Sequence, residues 1–342
     1  MIIPRNLLIV RTDRIGDVIL SLPLAEMVKK HYTGCKVTFL VKSYTKVLAE
    51  SNPFIDEVLT LKEIDGKIKL GENVKLLKEK SFDASIIVYP TFITALIVFL
   101  SGIKTRVGSG YRWYSFLFNE KIYEHRKYAG KHELEFNVNL LKIFGIERNV
   151  SPSKVEFNLR VDEKSLSEVK DVLNSESVDL NKKMIIVHPG SGGSAIDLPL
   201  EKFSILVKYL ASLNDINVII TGSNDEKEIC SKIKGKTPAI NLSGRFNLSG
   251  LVALTSLCTL FITNSTGPIH IAAALDKFTI GFYPKILSCS VKRWGPYTTK
   301  KAVFTPEIEC NNCTREQCER LNCMNSINID NVINTAKKVL NI

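Results

Sequence analysis

Three segments carry the residue types that bind anions or move protons. The first is Arg11-Thr-Asp-Arg-Ile-Gly-Asp17, directly after the apolar run Asn6–Val10. Ligands of open α/β sheets bind beyond the carboxyl ends of strands, so this loop stands where a site belongs. Gly16 allows close backbone approach, and Asp17 falls at a helix start, where negative charge is favoured. A carboxylate there can take a proton from a hydroxyl, or simply cap the helix. Asp13 competes for the same role. The second segment is His188-Pro-Gly-Ser-Gly-Gly-Ser194. Its Ser191, Gly192, Gly193 and Ser194 give a loop whose N–H groups can turn onto phosphate oxygens, or a plain flexible turn. It has neither the Walker ending nor the dinucleotide Gly-x-Gly-x-x-Gly pattern, which weighs against P-loop and hydride-transfer readings. The third is Asn264-Ser-Thr-Gly-Pro-Ile-His270. Gly267 and Pro268 suit a tight helix entry behind Asn264, Ser265 and Thr266. His270 serves either as a core residue or as a hydrogen-bond donor to a ligand.

The elements that must position these loops follow from a repeated rhythm of β-branched apolar run, turn and helically spaced segment, which predicts α/β units with parallel sheets. One set of strands covers Asn6–Val10, Lys36–Val41, Glu57–Leu61 and Ala84–Val88, with helices at Val18–His31, Tyr44–Glu50, Gly71–Lys80 and Phe92–Ser101. A second covers Met184–Val187, Asn217–Thr221, Ala239–Asn241, Leu260–Thr263 and Phe278–Phe282, with helices at Pro199–Ser212, Asp225–Lys234, Leu248–Ser256 and Pro268–Leu275. Ser151-Pro-Ser153 reads as a linker, so the expected domains are 1–155 and 156–342.

The chain has 342 residues, 45% of them hydrophobic and 24% charged, with 19 Gly and 12 Pro, which excludes collagenous, low-complexity and largely disordered classes. The longest apolar stretch, Phe92–Leu100, is far short of the ~20 residues that span a bilayer. The opening Met-Ile-Ile-Pro-Arg lacks a signal-peptide pattern, so a cytoplasmic location is expected. The net charge is +11, and the excess leans to the front half, where residues 1–150 hold 23 basic and 16 acidic groups. An anionic partner is expected. Within Lys104–Lys131, seven basic residues interleave with Tyr111, Trp113, Tyr114, Phe116 and Phe118. Such a stretch is either adhesive for phosphate and sugar rings or a solvated loop over an aromatic cluster.

Cys35, Cys230, Cys258 and Cys289 are scattered and read as small apolar core residues. Cys310, Cys313, Cys318 and Cys323 have the spacing of a zinc knuckle with Cys replacing its His, although the knuckle's glycines are absent. Reduced structural thiols are the first expectation there, and a structural zinc the second.

Taken together, Leu7-Leu-Ile-Val-Arg-Thr-Asp-Arg-Ile-Gly-Asp-Val-Ile-Leu-Ser-Leu-Pro23, the His188–Ser194 loop with Pro199-Leu-Glu-Lys-Phe203, and Thr263–Leu275 resemble the family 9 glycosyltransferases, which include the ADP-heptose:lipopolysaccharide heptosyltransferases. The resemblance implies a GT-B architecture of two Rossmann-like domains facing a cleft, the front one for acceptor and the rear one for nucleotide sugar. It implies inverting transfer of a heptose or related sugar, with ADP-heptose as donor and no cofactor required for catalysis. Asp17 becomes the base. Ser191, Gly192, Gly193, Ser194, Glu226, Asn264, Ser265, Thr266, Gly267 and His270 become donor contacts, and Cys323-Met-Asn-Ser-Ile327 matches tails seen in the family. Arg14 and Arg106 are the expected acceptor contacts, the acceptor being a lipid-linked saccharide met at the inner face of the cytoplasmic membrane. No nucleic-acid partner is expected. Two departures stand out: Ile196 replaces a Lys of many relatives, and Ser265 replaces an Asp. Lys202, Lys285, Lys292 and Arg293 are candidates for the missing cation. The competing readings are another nucleotide sugar for another surface glycan, and a non-catalytic nucleotide-sugar binder.

Overall fold

The computed structural model describes residues 2–309 and 314–342. The chain forms two compact units, one holding residues up to Arg126 and Gly130–Arg160, the other Lys127–Ala129 and Val161–Ile342. The division falls at residue 160 rather than 155, because the segment after the linker is tied to the front unit. Phe157 is buried, its carbonyl accepts from Asn52 Nδ2 at 2.9 Å, and Arg160 N–H donates to the Ser51 carbonyl at 3.3 Å.

In the front unit the strands are β1 (Asn6–Val10), β2 (Lys36–Val41), β3 (Glu57–Thr60), a small hairpin of β4 (Glu63–Ile64) and β5 (Lys67–Ile68), then β6 (Ala84–Ile87), β7 (Thr105–Ser109) and β8 (Glu120–Ile122). Apart from the hairpin they make one sheet in the order β3-β2-β1-β6-β7-β8, parallel throughout. Central strands of such a sheet are covered on both faces, which is why β6 reads Ala-Ser-Ile-Ile and is buried at every position. In the rear unit β9 (Lys183–His188), β10 (Ile216–Ile220), β11 (Ile240–Asn241), β12 (Leu260–Asn264), β13 (Phe278–Phe282) and β14 (Lys301–Phe304) repeat the pattern as β11-β10-β9-β12-β13-β14, again parallel. Each sheet has the 3-2-1-4-5-6 order of the doubly wound nucleotide-binding fold once the hairpin is set aside. The order reverses between β1 and β6 in front and between β9 and β12 behind.

The first helix differs from expectation. Instead of one helix over Val18–His31, a five-residue helix Ile15–Ile19 is followed by Pro23–His31. Pro23 has no N–H to continue the ladder but fits the first turn of a new helix, so the break falls ahead of it. Sequence reading also missed β7, β8, β14 and the C-terminal helix Ile329–Leu340, which Asn328 caps and whose Val332, Ala336 and Leu340 are fully buried in the rear core. Among the described residues no helix is long and apolar enough to cross a membrane.

Candidate active site

In the front unit, β1 ends at the reversal point and delivers Arg11 into the interior, only 1% exposed. Its guanidinium is met by three carboxylates. Asp17 Oδ1 accepts from Nη2, Asp13 Oδ1 lies 3.3 Å from Nε, and Glu133 Oε1 lies 3.5 Å from Nη2. Glu133 also pairs with Arg126, which donates to Asn137 Oδ1 at 3.1 Å. Buried charges are stable only when paired in this way. Burial pushes the Asp13 carboxyl up to about 6, with Arg11 pulling it down and Asp17 pushing it up. The same carboxylates hold the Arg11 guanidinium above its ordinary range despite burial. Tyr89, just beyond β6, offers its ring to Arg11 at 5.9 Å and to Arg112 at 5.6 Å.

Asp17 is not the helix cap. Arg14 holds that position and makes no side-chain cap bond, while Asp17 lies inside the first turn, partly exposed and joined to Arg11. Arg106 registers with Ser85 of β6 and thereby with Leu8 of β1, two residues short of the strand end. Its Nε donates to the Leu117 carbonyl at 2.8 Å, and Nη1 to those of Ile103 and Lys104 at 2.6 and 3.2 Å. These contacts give Arg106 a scaffold role beside Phe99, away from the Asp17 loop. Glu133, Arg126 and Tyr89 were not singled out from sequence. The one signal was position, since Tyr89 immediately follows a strand and Glu133 opens the helix Glu133–Asn139.

In the rear unit the other two loops lie at the second reversal, leaving β9 and β12 side by side. Ser194 N–H donates to the Ser191 carbonyl at 3.0 Å, closing a turn whose central Gly192 and Gly193 have φ of +54° and +73°. That is the signature of a type I′ turn, which L side chains rarely adopt. Asn264 is fully buried and braces the loop, accepting from Leu198 N–H at 2.9 Å and donating to the Pro189 carbonyl at 2.5 Å. Glu226 lies against Gly190 so closely that a Cβ there would come within 1.7 Å of its Oε1. Its Oε2 accepts from Ser223 N–H at 2.7 Å in a capping box ahead of the helix Lys227–Lys234. His188 is buried, with Nδ1 2.9 Å from Thr221 Oγ1, and burial pushes it down to about 4 against the opposing pull of Glu226. Thr266 caps the helix Gly267–Ala274 without a side-chain cap bond, and His270 is buried in its first turns.

The two departures have structural counterparts. Ile196 packs against the rear core, and Ser265 is buried with its N–H on the Phe282 carbonyl at 3.0 Å. Three of the candidate cations have partners of their own: Lys202 donates to the Ile327 carbonyl, Lys285 to that of Ile308, and Arg293 lies 5.0 Å from the Trp294 ring, while Lys292 is exposed. A cation bound to the glycine loop is Arg315, missed from sequence, which donates to the carbonyls of Gly193 at 3.1 Å and Ala195 at 3.3 Å. Nothing local marked it, because the contact spans more than a hundred residues. Cys35, Cys230 and Cys258 are buried as expected, whereas Cys289 is only half-buried. Cys310 and Cys313 lie outside the described residues; Cys318 and Cys323 are buried.

Two Rossmann-like units in one chain, each with polar loops at its strand-order reversal, define a GT-B class protein. The chain belongs to glycosyltransferase family 9, whose model (glycosyltransferase family 9, heptosyltransferase) matches residues 71–324. It is thus a glycosyltransferase. A Haemophilus influenzae relative, designated by glycosyltransferase class alone, is 34% identical over 88% of this chain and 89% of its own. Lipopolysaccharide heptosyltransferase 2 of Escherichia coli is 25% identical over 81% of this chain and 82% of its own. Among solved structures, E. coli ADP-heptose lps heptosyltransferase II superposes with a TM-score of 0.79 at 22% identity, covering 98% of both chains.

Proposed function

We propose that this chain moves a heptose from ADP-heptose to a lipid-linked lipopolysaccharide core saccharide at the cytoplasmic membrane surface, inverting the anomeric centre. The carrying observation is that all three motif loops stand at the two strand-order reversals, where doubly wound sheets bind ligands. The heptosyltransferase relatives support the choice of sugar and donor.

Asp17 is the general base. Arg11 engages Oδ1 and so fixes the carboxylate, leaving Oδ2 for the acceptor hydroxyl. As that proton passes to Asp17, the acceptor oxygen bonds to the anomeric carbon, the carbon–phosphate oxygen bond breaks, and ADP leaves. The developing charge on the diphosphate is met by the N–H groups of Gly192 and Gly193 in the Ser191–Ser194 turn, the start of the helix Gly267–Ala274 and Arg315, without a metal in the scheme.

The test is ADP release in the presence of a chelator, together with calorimetric ADP affinity. Asp17→Asn is expected to lower transfer by about 10²–10⁴-fold with ADP affinity unchanged. Transfer within a few-fold of wild type would remove Asp17 from the role. The donor itself is tested by thermal stabilisation across nucleotide sugars, with ADP-heptose expected to raise the melting point most.

A further inference from the structure

The helix Phe92–Leu100 covers the front core with one face and leaves another uncovered. Ala95, Ile97 and Val98 are buried against Tyr114, Leu117 and Phe118. Phe92, Phe99 and Leu100 are each more than a third exposed, and Ile93 and Leu96 are only partly buried. Positions 92, 96, 99 and 100 share one helix face, an apolar stripe about 12 Å long. The loop after β7 extends it. Trp113 is 74% exposed and stacks on Phe92 with ring centroids 4.9 Å apart, and Phe116, in the turn Ser115–Leu117, is 66% exposed. A contiguous apolar patch of this kind marks an interaction surface.

Its charge points to the partner. From Ala84 to Asn119 the sequence contains no Asp or Glu, while Lys104, Arg106 and Arg112 all fall in that span. The Arg106 guanidinium lies 5.3 Å from the Phe99 ring, and Arg112 adjoins Trp113. Arg106 is held by backbone carbonyls behind Phe99, whereas Lys104 and Arg112 are exposed. Exposed aromatic residues with such cations beside them suit the headgroup region of an anionic bilayer, where rings enter the acyl boundary and the cations meet phosphates. A second copy of the chain fits worse, because a two-fold contact would set the cations of this patch, Arg112 among them, against their own copies.

We propose that the exposed face of the helix Phe92–Leu100, with Trp113 and Phe116, docks the front unit on an anionic lipid surface. This adds the docking element to the reading of a lipid-linked acceptor, and does not depend on which residue is the base.

The experiment uses the full chain with vesicles of phosphatidylcholine alone and of phosphatidylcholine with phosphatidylglycerol. In Trp294→Phe, Trp113 is the only tryptophan left. Its emission is expected to shift to the blue on the anionic vesicles and to stay unshifted on the neutral ones. Co-sedimentation of the double variant Trp113→Ser, Phe116→Ser should be at least about tenfold weaker, and added salt should weaken the wild type. Both side chains are exposed, so the double variant is expected to keep its melting temperature and its transfer to a delipidated core oligosaccharide. That transfer separates the two readings: its loss in Asp17→Asn concerns the base, and the loss of vesicle binding concerns the patch. Absence of vesicle binding, equal binding to both vesicle types, or unchanged binding by the double variant would overturn the docking. So would a dimer in sedimentation equilibrium that disappears in the double variant, because the patch would then belong to a second copy.

Discussion

Arg11 decides the character of the front site. It is a buried cation holding three carboxylates together, and without it Asp13, Asp17 and Glu133 would face one another with Arg126 as the remaining countercharge. Removing one partner from a buried ionic set costs about 3–5 kcal/mol. Arg11→Met should therefore lower urea stability by about 3 kcal/mol at neutral pH, and the deficit should shrink as pH falls towards 6, because Asp13, no longer held down by Arg11, takes its proton at higher pH in the variant than in the wild type. A deficit independent of pH would mean that lost packing, not charge, is responsible. His188 acts with the opposite sign. Its folded pKa, about 4, lies below the ordinary 6.5, so between those values the unfolded chain binds the proton and the folded chain does not. The stability that follows from keeping His188 neutral is complete above pH 6.5 and is lost as pH falls towards 4. His188→Gln should flatten the stability profile in that window, read as urea midpoints from pH 4 to 7.

At the level of elements, the rear loop is shaped by close approaches and not by its own flexibility. Gly190 gives Glu226 room, Asn264 ties both ends of the loop, and Arg315 holds two of its carbonyls. Gly190→Ala inserts a methyl where the Glu226 carboxylate lies, so one of them must move. The expected result is a loss of about 1–3 kcal/mol in stability, together with ADP affinity at least about tenfold weaker by calorimetry. If affinity survives while stability falls, Glu226 shapes the fold but not the donor loop. The same arrangement bears on Ile196: it is half-buried against the core, and a charge at this loop comes from the helix Arg315–Arg320.

For the whole molecule, each unit has a core of its own: one cluster surrounds Leu8, Val10, Ile87 and Leu117 in front, and two others lie entirely in the rear unit. The two tryptophans report on them separately, Trp113 in front and Trp294 behind. Single-tryptophan variants, Trp294→Phe and Trp113→Phe, should show distinct urea midpoints, with ADP raising the midpoint seen by Trp294 more than that seen by Trp113. Equal ADP shifts at both probes would argue against a rear-unit donor site that is energetically its own.

The sequence by itself determined the α/β class, most of the strands and the three loops, because unbroken β-branched runs bounded by glycine and polar turns have few other ways to fold. It also carried the family resemblance. It did not contain the partnerships that complete the site. Glu133, itself paired with Arg126, reaches Arg11 from more than a hundred residues away, and Arg315 reaches Gly193 across a similar span. It did not separate Arg106, bound to backbone carbonyls, from an arginine at a ligand, nor show that Asn264 is a brace. Periodicity and turn chemistry are local properties of the chain, whereas the ionisation of Asp13, the placement of Arg11 and the exposure of Trp113 depend on which distant segments surround them, and only the tertiary structure decides that.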